Sequence, residues 1–285
     1  MKPAPFEYHA PTTVAEAVAI LAETAPEGGR VLAGGQSLVP TMAFRLAQPA
    51  HLVDINAIPA LDHVTAGDGA LVIGALARHA AFHRAAAPAP LGPLMAEMAR
   101  HIGHYPIRQR GTFVGSLAQA DPASEWCLLA VTLGATVTAR SARGSREIAA
   151  EELIQGAMTT ALADDELLTE ARLPLPAEGT RLGFAEFSRR AGDFALAMAL
   201  AAYRVEDGVI AEARIGIGGA EDRARRIPEA EAALAGRAPE AETFKAAADA
   251  AASALDPMED HATDAAYRRE LARALTLRAL EGAGA

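Results

Sequence analysis

The sequence has only one cysteine, Cys127, among its 285 residues. A single thiol allows no disulfide within the chain, and it cannot supply the ligands of an iron–sulfur cluster or a thiolate zinc site. Apolar runs long enough to span a bilayer are also lacking, and residues 1–10 show no basic and then apolar leader pattern. We therefore expect a cytoplasmic protein without an integral membrane segment.

Positive charge is in the minority, with 26 Lys and Arg against 36 Asp and Glu and a formal net charge of −10. This balance disfavours nonspecific attraction to polyanions, so we expect no nucleic-acid partner. Apolar residues make up 51% of the chain and charged residues 22%, which is typical of a globular protein. The length allows one large or two smaller domains with a substantial core.

The eight histidines show no metal-binding pattern in the sequence. His101 and His104 are three residues apart and His79 and His83 are four apart, but no cysteine or carboxylate at a matching spacing accompanies either pair. We expect His79 and His83 to form a surface pair on a helix, and we predict no metal site. No Ser-His-Asp or Cys-His constellation stands out either, so no catalytic residue is assigned to this chain.

Two short segments rich in glycine and serine are the most informative features that the sequence does contain. The first is Ala33-Gly34-Gly35-Gln36-Ser37-Leu38 and the second is Gly111-Thr112-Phe113-Val114-Gly115-Ser116. Glycine lets backbone N–H groups approach a phosphate closely, and a helix that starts after such a loop adds its dipole. An isolated segment of this kind is more often an ordinary tight turn. Together, the two predict a dinucleotide held from two sides.

Asp121 follows the second segment and directly precedes Pro122. An Asp before a Pro at the first helical position is a common helix start, so Asp121 is expected to cap a helix over residues 122–133. Its carboxylate could also accept hydrogen bonds from sugar hydroxyls, and the two roles can coexist.

The order of these segments resembles the FAD-binding medium subunit of the molybdenum hydroxylases. This group includes the flavin subunits of aerobic carbon monoxide dehydrogenase, nicotine- and nicotinate-type dehydrogenases and xanthine dehydrogenases. Its usual pattern is AGGxSL, then IRNxGTIGGN, then AHADPAAELP, and later an RRxGDFAL-like stretch, which is matched here by residues 189–196. The resemblance runs in order from near Phe6 to the C-terminus.

The resemblance implies noncovalent FAD and a set of residues that contact it. These residues are Ala33, Gly34, Gly35, Gln36, Ser37 and Leu38 in the first loop; Gly111, Thr112, Phe113, Val114, Gly115 and Ser116 in the second; Ala120, Asp121 and Glu125 after it; and Arg189, Arg190, Asp193 and Phe194 in the third motif.

Several positions depart from the family pattern. Val114 stands where a glycine is common, Ser116 and Gln109 replace asparagines, and Gln119 replaces a histidine. Valine does not adopt left-handed backbone angles cheaply, so either the backbone at Val114 is ordinary or this loop differs locally. Glu186 lies where relatives often carry a lysine, which would make the field near the flavin less positive.

The expected fold is α+β, with a two-part FAD-binding domain of the PCMH type over residues 1–176 and subdomains of about 1–57 and 58–176. A C-terminal flavoprotein domain over residues 177–285 should contain a three-stranded antiparallel sheet and a helical bundle. The first subdomain reads as a βαβ unit, with a capping box at Thr13 and Glu16. Asp207-Gly208 between two apolar runs predicts a hairpin.

The resemblance implies an electron-transfer subunit whose partners hold the other redox centres. A large subunit would carry a molybdopterin–molybdenum centre, a small subunit would carry two [2Fe–2S] clusters, and the expected assembly is a dimer of heterotrimers. Electrons would leave from FAD to an external acceptor. Two alternatives stay open: a free-standing flavin-dependent oxidoreductase, and a degenerate scaffold subunit without flavin.

Overall fold

The structure is a computed structural model that describes residues 2–260 and 263–283. The N-terminal part contains β1 (Glu7–His9), α1 (Val14–Thr24), β2 (Arg30–Leu32), α2 (Leu38–Ala43) and β3 (His51–Asp54). β3 lies between β1 and β2 and pairs with both in parallel. The predicted βαβ unit and the capping box of α1 are therefore confirmed. α2 ends at Ala43, and the chain turns shortly after it at Arg45, whose φ is +59°.

The middle part is built around an antiparallel sheet, in which β10 pairs with both β5 and β6. The strand order is β4-β5-β10-β6-β7, and β8 pairs with β9 separately. The elements are β4 (Val64–Gly67), β5 (Ala70–Gly74), α3 (Leu91–His101), α4 (Tyr105–Arg108), α5 (Phe113–Gln119), α6 (Glu125–Leu133), β6 (Thr136–Ser141), β7 (Gly144–Ala149), α7 (Ala150–Leu153), β8 (Ile154–Gly156), β9 (Thr159–Thr160) and β10 (Leu167–Pro174).

The C-terminal part pairs a second antiparallel sheet with helices. Its elements are β11 (Thr180–Phe187), β12 (Ala197–Glu206), β13 (Val209–Gly218), β14 (Arg225–Arg226), α8 (Pro228–Leu234), α9 (Ala241–Ala254) and α10 (Ala265–Gly282). The predicted hairpin between β12 and β13 is confirmed, with positive φ at both Asp207 and Gly208. Over the described residues the sheet has four strands rather than the predicted three, because the two-residue β14 pairs with the edge of β13.

β12 explains how the C-terminal sheet joins the rest of the molecule. Alternate side chains of a strand point to opposite faces. Met198 and Leu200 belong to the large core of the first two sheets, whereas Ala199 and Tyr203 belong to a second core with α8, α9 and α10. Because both faces are covered, this strand is apolar throughout most of its length rather than alternating.

None of the helices in residues 2–260 and 263–283 combines the length and the hydropathy that crossing a bilayer requires.

Candidate functional site

The first glycine segment connects β2 to α2 at the C-terminal end of a parallel strand. Gly35 has a φ of +72°, a left-handed conformation that favours glycine. The side-chain amide of Gln36 donates to the carbonyl oxygen of Gly34 at 3.1 Å. In the described part of the chain, the backbone N–H groups of Gly34, Gly35, Gln36 and Ser37 form no hydrogen bond. Four successive unused donors, followed at once by a helix, suit an anion.

The two glycine segments lie directly against each other. A Cβ on Gly34 would overlap the carbonyl oxygen of Arg110 and the Cα of Gly111. Glycine at position 34 is therefore required by this close packing between segments. The structure thus places the two segments side by side, as a ligand held by both of them would require.

Two polar side chains that the sequence reasoning missed tie the segments together. The guanidinium of Arg78 donates to the carbonyl oxygen of Arg110 and to Oδ1 of Asn56, each at 2.6 Å. The amide of Asn56 in turn donates to the carbonyl oxygen of Ala33 at 2.8 Å. Because Arg78 and Asn56 lie outside both sequence motifs, nothing in the sequence around them indicates that they join the two segments. Only their positions in the fold show this role.

The second segment is the start of a helix rather than an open loop. The Thr112 hydroxyl accepts the N–H of Gly115 at 3.0 Å and caps α5. Phe113 and Val114 are buried in the core, and the N–H of Phe113 donates to Ala77. Val114 lies within the helix, so its backbone is ordinary and the valine causes no strain there. Ser116 lies further along α5, where its N–H is bonded to the carbonyl oxygen of Thr112.

A buried aromatic cluster of Phe82, Phe113 and Trp126 packs against the second segment. The rings of Phe82 and Phe113 each pack on Trp126, with centroid distances of 5.3 and 5.1 Å. The indole N–H of Trp126 donates to Nδ1 of His79 at 2.9 Å. His79 packs tightly under Gly111, where a Cβ would overlap the imidazole.

The expectation that His79 and His83 form a surface pair on a helix was wrong. His79 is 5% exposed, and burial lowers its pKa to about 4. The two residues lie in a short 3₁₀ helix, His79–His83, and His83 accepts a hydrogen bond from Nε of Arg108 at 2.9 Å. Four-residue spacing does not define a shared face at three residues per turn.

The prediction that Asp121 caps the next helix was also wrong. Ser124 is the N-cap of α6, and its hydroxyl accepts the N–H of Cys127 at 3.3 Å. The Asp121 carboxylate instead accepts the N–H of Ala123 at 2.9 Å in a turn before the helix. Burial raises the pKa of Asp121. Ala120 ends α5 with a φ of +52°, and both of its backbone polar groups are bonded within the chain.

Glu125 and Glu186 bring carboxylates together where the C-terminal sheet meets α3 and α6. Glu125 is 8% exposed, and burial, with the charges of Glu186 and Asp121, raises its pKa well above 4.5. Oε1 of Glu186 lies 3.4 Å from Nδ1 of His101, which raises the pKa of that imidazole. Oε2 of Glu186 is buried without a hydrogen-bond partner in the described structure. The negative charge expected at position 186 is therefore partly offset by a histidine on α3.

The third motif, residues 189–196, lies in the loop between β11 and β12. The N–H of Asp193 donates to the carbonyl oxygen of Arg190 and closes a turn. Arg189, Arg190 and Asp193 are exposed, and Phe194 is 73% exposed.

The tip of this loop reaches back to the N-terminal part of the chain. A Cβ on Gly192 would overlap the ring of His104, which is the residue that precedes α4, just before the second glycine segment. The structure therefore brings the third motif to the neighbourhood of the second.

Comparisons with known proteins agree with this arrangement. The family described as "FAD binding domain in molybdopterin dehydrogenase" matches residues 4–176, and "CO dehydrogenase flavoprotein C-terminal domain" matches residues 183–283. The chain is 37% identical over 285 residues to the nicotine 6-hydroxylase medium subunit of Paenarthrobacter nicotinovorans, covering 100% of this chain and 99% of the relative. It is 34% identical to the carbon monoxide dehydrogenase medium chain of Hydrogenophaga pseudoflava, with the same coverage.

Among solved structures, the carbon monoxide dehydrogenase of Hydrogenophaga pseudoflava that lacks the Mo-pyranopterin moiety contains a similar chain. The match has a TM-score of 0.93 at 36% identity and covers 100% of this chain and 99% of that chain. Sequence and fold agree over the whole length. The chain belongs to the family of FAD-binding medium subunits of carbon monoxide dehydrogenase and related molybdenum hydroxylases.

Proposed function

We propose that this chain holds FAD noncovalently and is the electron-exit subunit of a molybdenum hydroxylase complex. A partner large subunit would carry the molybdopterin–molybdenum centre, and a partner small subunit would carry two [2Fe–2S] clusters. When bound, FAD supplies the redox chemistry that links such centres to an external acceptor. The proposal rests on membership in the family of medium subunits.

The residues of the first segment fit the pyrophosphate of a dinucleotide. The observation that supports phosphate binding at this segment is the set of unused N–H groups, those of Gly34, Gly35, Gln36 and Ser37. The dipole of α2, which starts at Leu38, acts in the same direction. From the second segment, the Thr112 hydroxyl can still donate its hydrogen while its oxygen accepts from Gly115.

The other candidate residues differ in what they have free to offer. The carboxylate of Asp121 retains acceptor capacity beyond its single bond to Ala123, so it suits hydroxyl groups of the ribityl chain or ribose. The exposed ring of Phe194 offers a stacking surface. Phe113, Val114 and Ala120 contribute packing beneath the site rather than side-chain contacts.

Noncovalent attachment is favoured by the state of the single thiol. Cys127 is fully buried, and burial raises its pKa to about 12. A buried neutral thiol is a poor nucleophile, so it does not suit a covalent tether to the flavin.

We also propose that the domain boundary follows residue 176. Residues 175–179 connect β10 to β11. The two family matches end and begin on either side of this connection, at residues 176 and 183. The parallel sheet and the first antiparallel sheet support subdomains of about 1–57 and 58–176.

The experiment that tests FAD binding compares two glycine variants with the same backbone strain. Gly35 and Gly69 both have a φ of +72°, but Gly69 lies in the exposed turn between β4 and β5 with no atom near its missing Cβ. At either position the left-handed backbone makes a valine cost about 1–2 kcal/mol of folding free energy. At Gly35 the added side chain also presses on Val39 and Leu32, so this variant bears an extra local clash. Only Gly35→Val should also abolish the yellow colour, because contact with Val39 and Leu32 would displace the loop whose N–H groups form the proposed phosphate cradle.

The flavin released from wild-type protein by acid should be FAD and not FMN. Full flavin retention by Gly35→Val would refute the first segment as the phosphate cradle. A colourless wild-type protein that stays colourless after incubation with FAD would favour the scaffold alternative.

A further inference from the structure

A cluster of metal-ligand side chains lies on the N-terminal parallel sheet, separate from the proposed flavin site. β1 and β3 pair so that Glu7 is opposite His51, and Glu7 and His9 share one face of β1 because they are two residues apart. Nε2 of His9 lies 3.1 Å from Nδ1 of His51, and Oε2 of Glu7 lies 3.7 Å from the same Nδ1. The ligand atoms of all three residues lie within 4.8 Å of one another.

A fourth side chain orients the central histidine. Oε2 of Glu27 lies 3.3 Å from Nε2 of His51. A carboxylate at that position accepts the Nε2–H and leaves the lone pair on Nδ1, which faces His9 and Glu7. Metal-binding histidines in proteins commonly have such a carboxylate on their other nitrogen.

We propose that Glu7, His9 and His51 form a zinc site, with Glu27 as the carboxylate that orients His51. Zinc binds imidazole nitrogen and carboxylate oxygen at about 2.0–2.2 Å with tetrahedral geometry, which places neighbouring ligand atoms about 3.3 Å apart. The separations of 3.1 and 3.7 Å bracket this value. Three protein ligands leave the fourth position for water or a partner group.

A cation also resolves a conflict in the cluster. If Nδ1 of His51 carries a lone pair, that lone pair and the Glu7 carboxylate face each other at 3.7 Å without a hydrogen between them. A metal ion bound between the two atoms removes this repulsion. Without a metal ion, the cluster is a partly exposed network of polar contacts, of the kind that contributes little to stability. With zinc bound, the cluster would link β1, through Glu7 and His9, to β3, through His51.

Zinc uptake by the full chain distinguishes these two states. Protein stripped with a chelator is dialysed against zinc chloride, and bound zinc is measured by mass spectrometry. The wild type should bind one zinc per chain more than His51→Gln or Glu7→Gln. Glu7 is largely exposed, so its variant does not threaten folding. His63→Gln is the matched control, because His63 lies 3.8 Å from Glu170 on another sheet, and it should bind zinc like the wild type.

Replacement of Glu27 provides a second test, which measures zinc affinity rather than stoichiometry. Glu27→Gln should keep the stoichiometry and weaken zinc affinity about 10–100-fold, as losses of outer carboxylates do. Zinc should also raise the melting temperature of the wild type and not that of His51→Gln, because a ligand of the native state stabilises it. Equal zinc uptake by the wild type, His51→Gln and Glu7→Gln would overturn the proposal and leave a cluster of surface polar contacts.

Discussion

Asp121 and Ser124 divide two roles that a single residue was expected to combine. Ser124 caps α6 through its hydroxyl, and Asp121 closes the preceding turn through the N–H of Ala123. The division leaves the Asp121 carboxylate available for a ligand, and it makes the two roles separable by mutation.

Asp121→Asn should weaken FAD binding and leave stability nearly unchanged, because an Asn side chain can accept the same bond from Ala123. Hydrogen bonds to a charged partner contribute about 1.5–3 kcal/mol, so the dissociation constant should rise roughly tenfold or more. Ser124→Ala is the converse control, with a loss of about 1 kcal/mol in stability and unchanged FAD affinity. Flavin titration and denaturant unfolding measure both. An unchanged dissociation constant in Asp121→Asn would remove this residue from the site.

Glu125 should make the stability of the chain depend on pH. Its pKa is raised above 4.5, mainly by burial and next by the charges of Glu186 and Asp121. The folded chain therefore binds this proton more tightly than the unfolded chain. Protonated Glu125 contributes fully to the free energy of unfolding below about pH 4.5, and this contribution is lost as the pH rises through the folded-state pKa.

In Glu125→Gln this loss should disappear, so the variant should gain stability relative to the wild type as the pH rises above about 4.5. His101 has a raised pKa and loses stabilisation in the same direction, but it is present in both proteins. Glu178→Gln, an exposed change in the linker, should follow the wild type. Unfolding curves at several pH values test this, and parallel curves for the wild type and Glu125→Gln would contradict it.

At the scale of elements, the loop between β11 and β12 connects the two halves of the proposed flavin site. Gly192 packs on His104 of the N-terminal part, and Phe194 is exposed beside it in sequence. The β11–β12 loop therefore lies where two parts of the chain meet, and ligand sites are common at such junctions.

Phe194→Ala and Asp193→Ala should each shift the flavin absorbance or midpoint potential, the first by removing a stacking surface and the second by changing the local field. Val209→Ala is a suitable control, since it also shortens an exposed apolar side chain but lies in the β12–β13 hairpin at the opposite end of β12. Spectroelectrochemistry measures the outcome. Altered thermal stability with preserved spectrum and potential in both loop variants would limit this segment to a structural role.

At the scale of the whole molecule, the single buried cysteine means that this chain cannot ligate an iron–sulfur cluster. The same limit underlies the proposed division of labour among subunits. The two cores share β12, so the flavin part and the C-terminal part should behave as one unit within any assembly.

The purified chain should therefore bind FAD but show no hydroxylation of a physiological substrate. Co-expression with its partners should yield a dimer of heterotrimers that contains molybdenum and iron, detectable by light scattering and metal analysis. Flavin-dependent reduction of an artificial dye by the chain alone is compatible with this expectation. Substrate turnover by the chain alone, free of molybdenum, would instead favour a free-standing oxidoreductase.

The amino-acid sequence by itself determined the features that depend on neighbours along the chain. The capping box at Thr13, the Asp207-Gly208 hairpin and the glycine segment after β2 follow from local backbone preferences. The family and the order of elements were also readable, because motifs in a fixed order are specific together. Tertiary structure decided which groups meet. Arg78 and Asn56 join the glycine segments, Glu186 meets His101, and His9 meets His51 across 42 residues. These contacts depend on strand pairing and domain packing, which leave no trace in residue spacing.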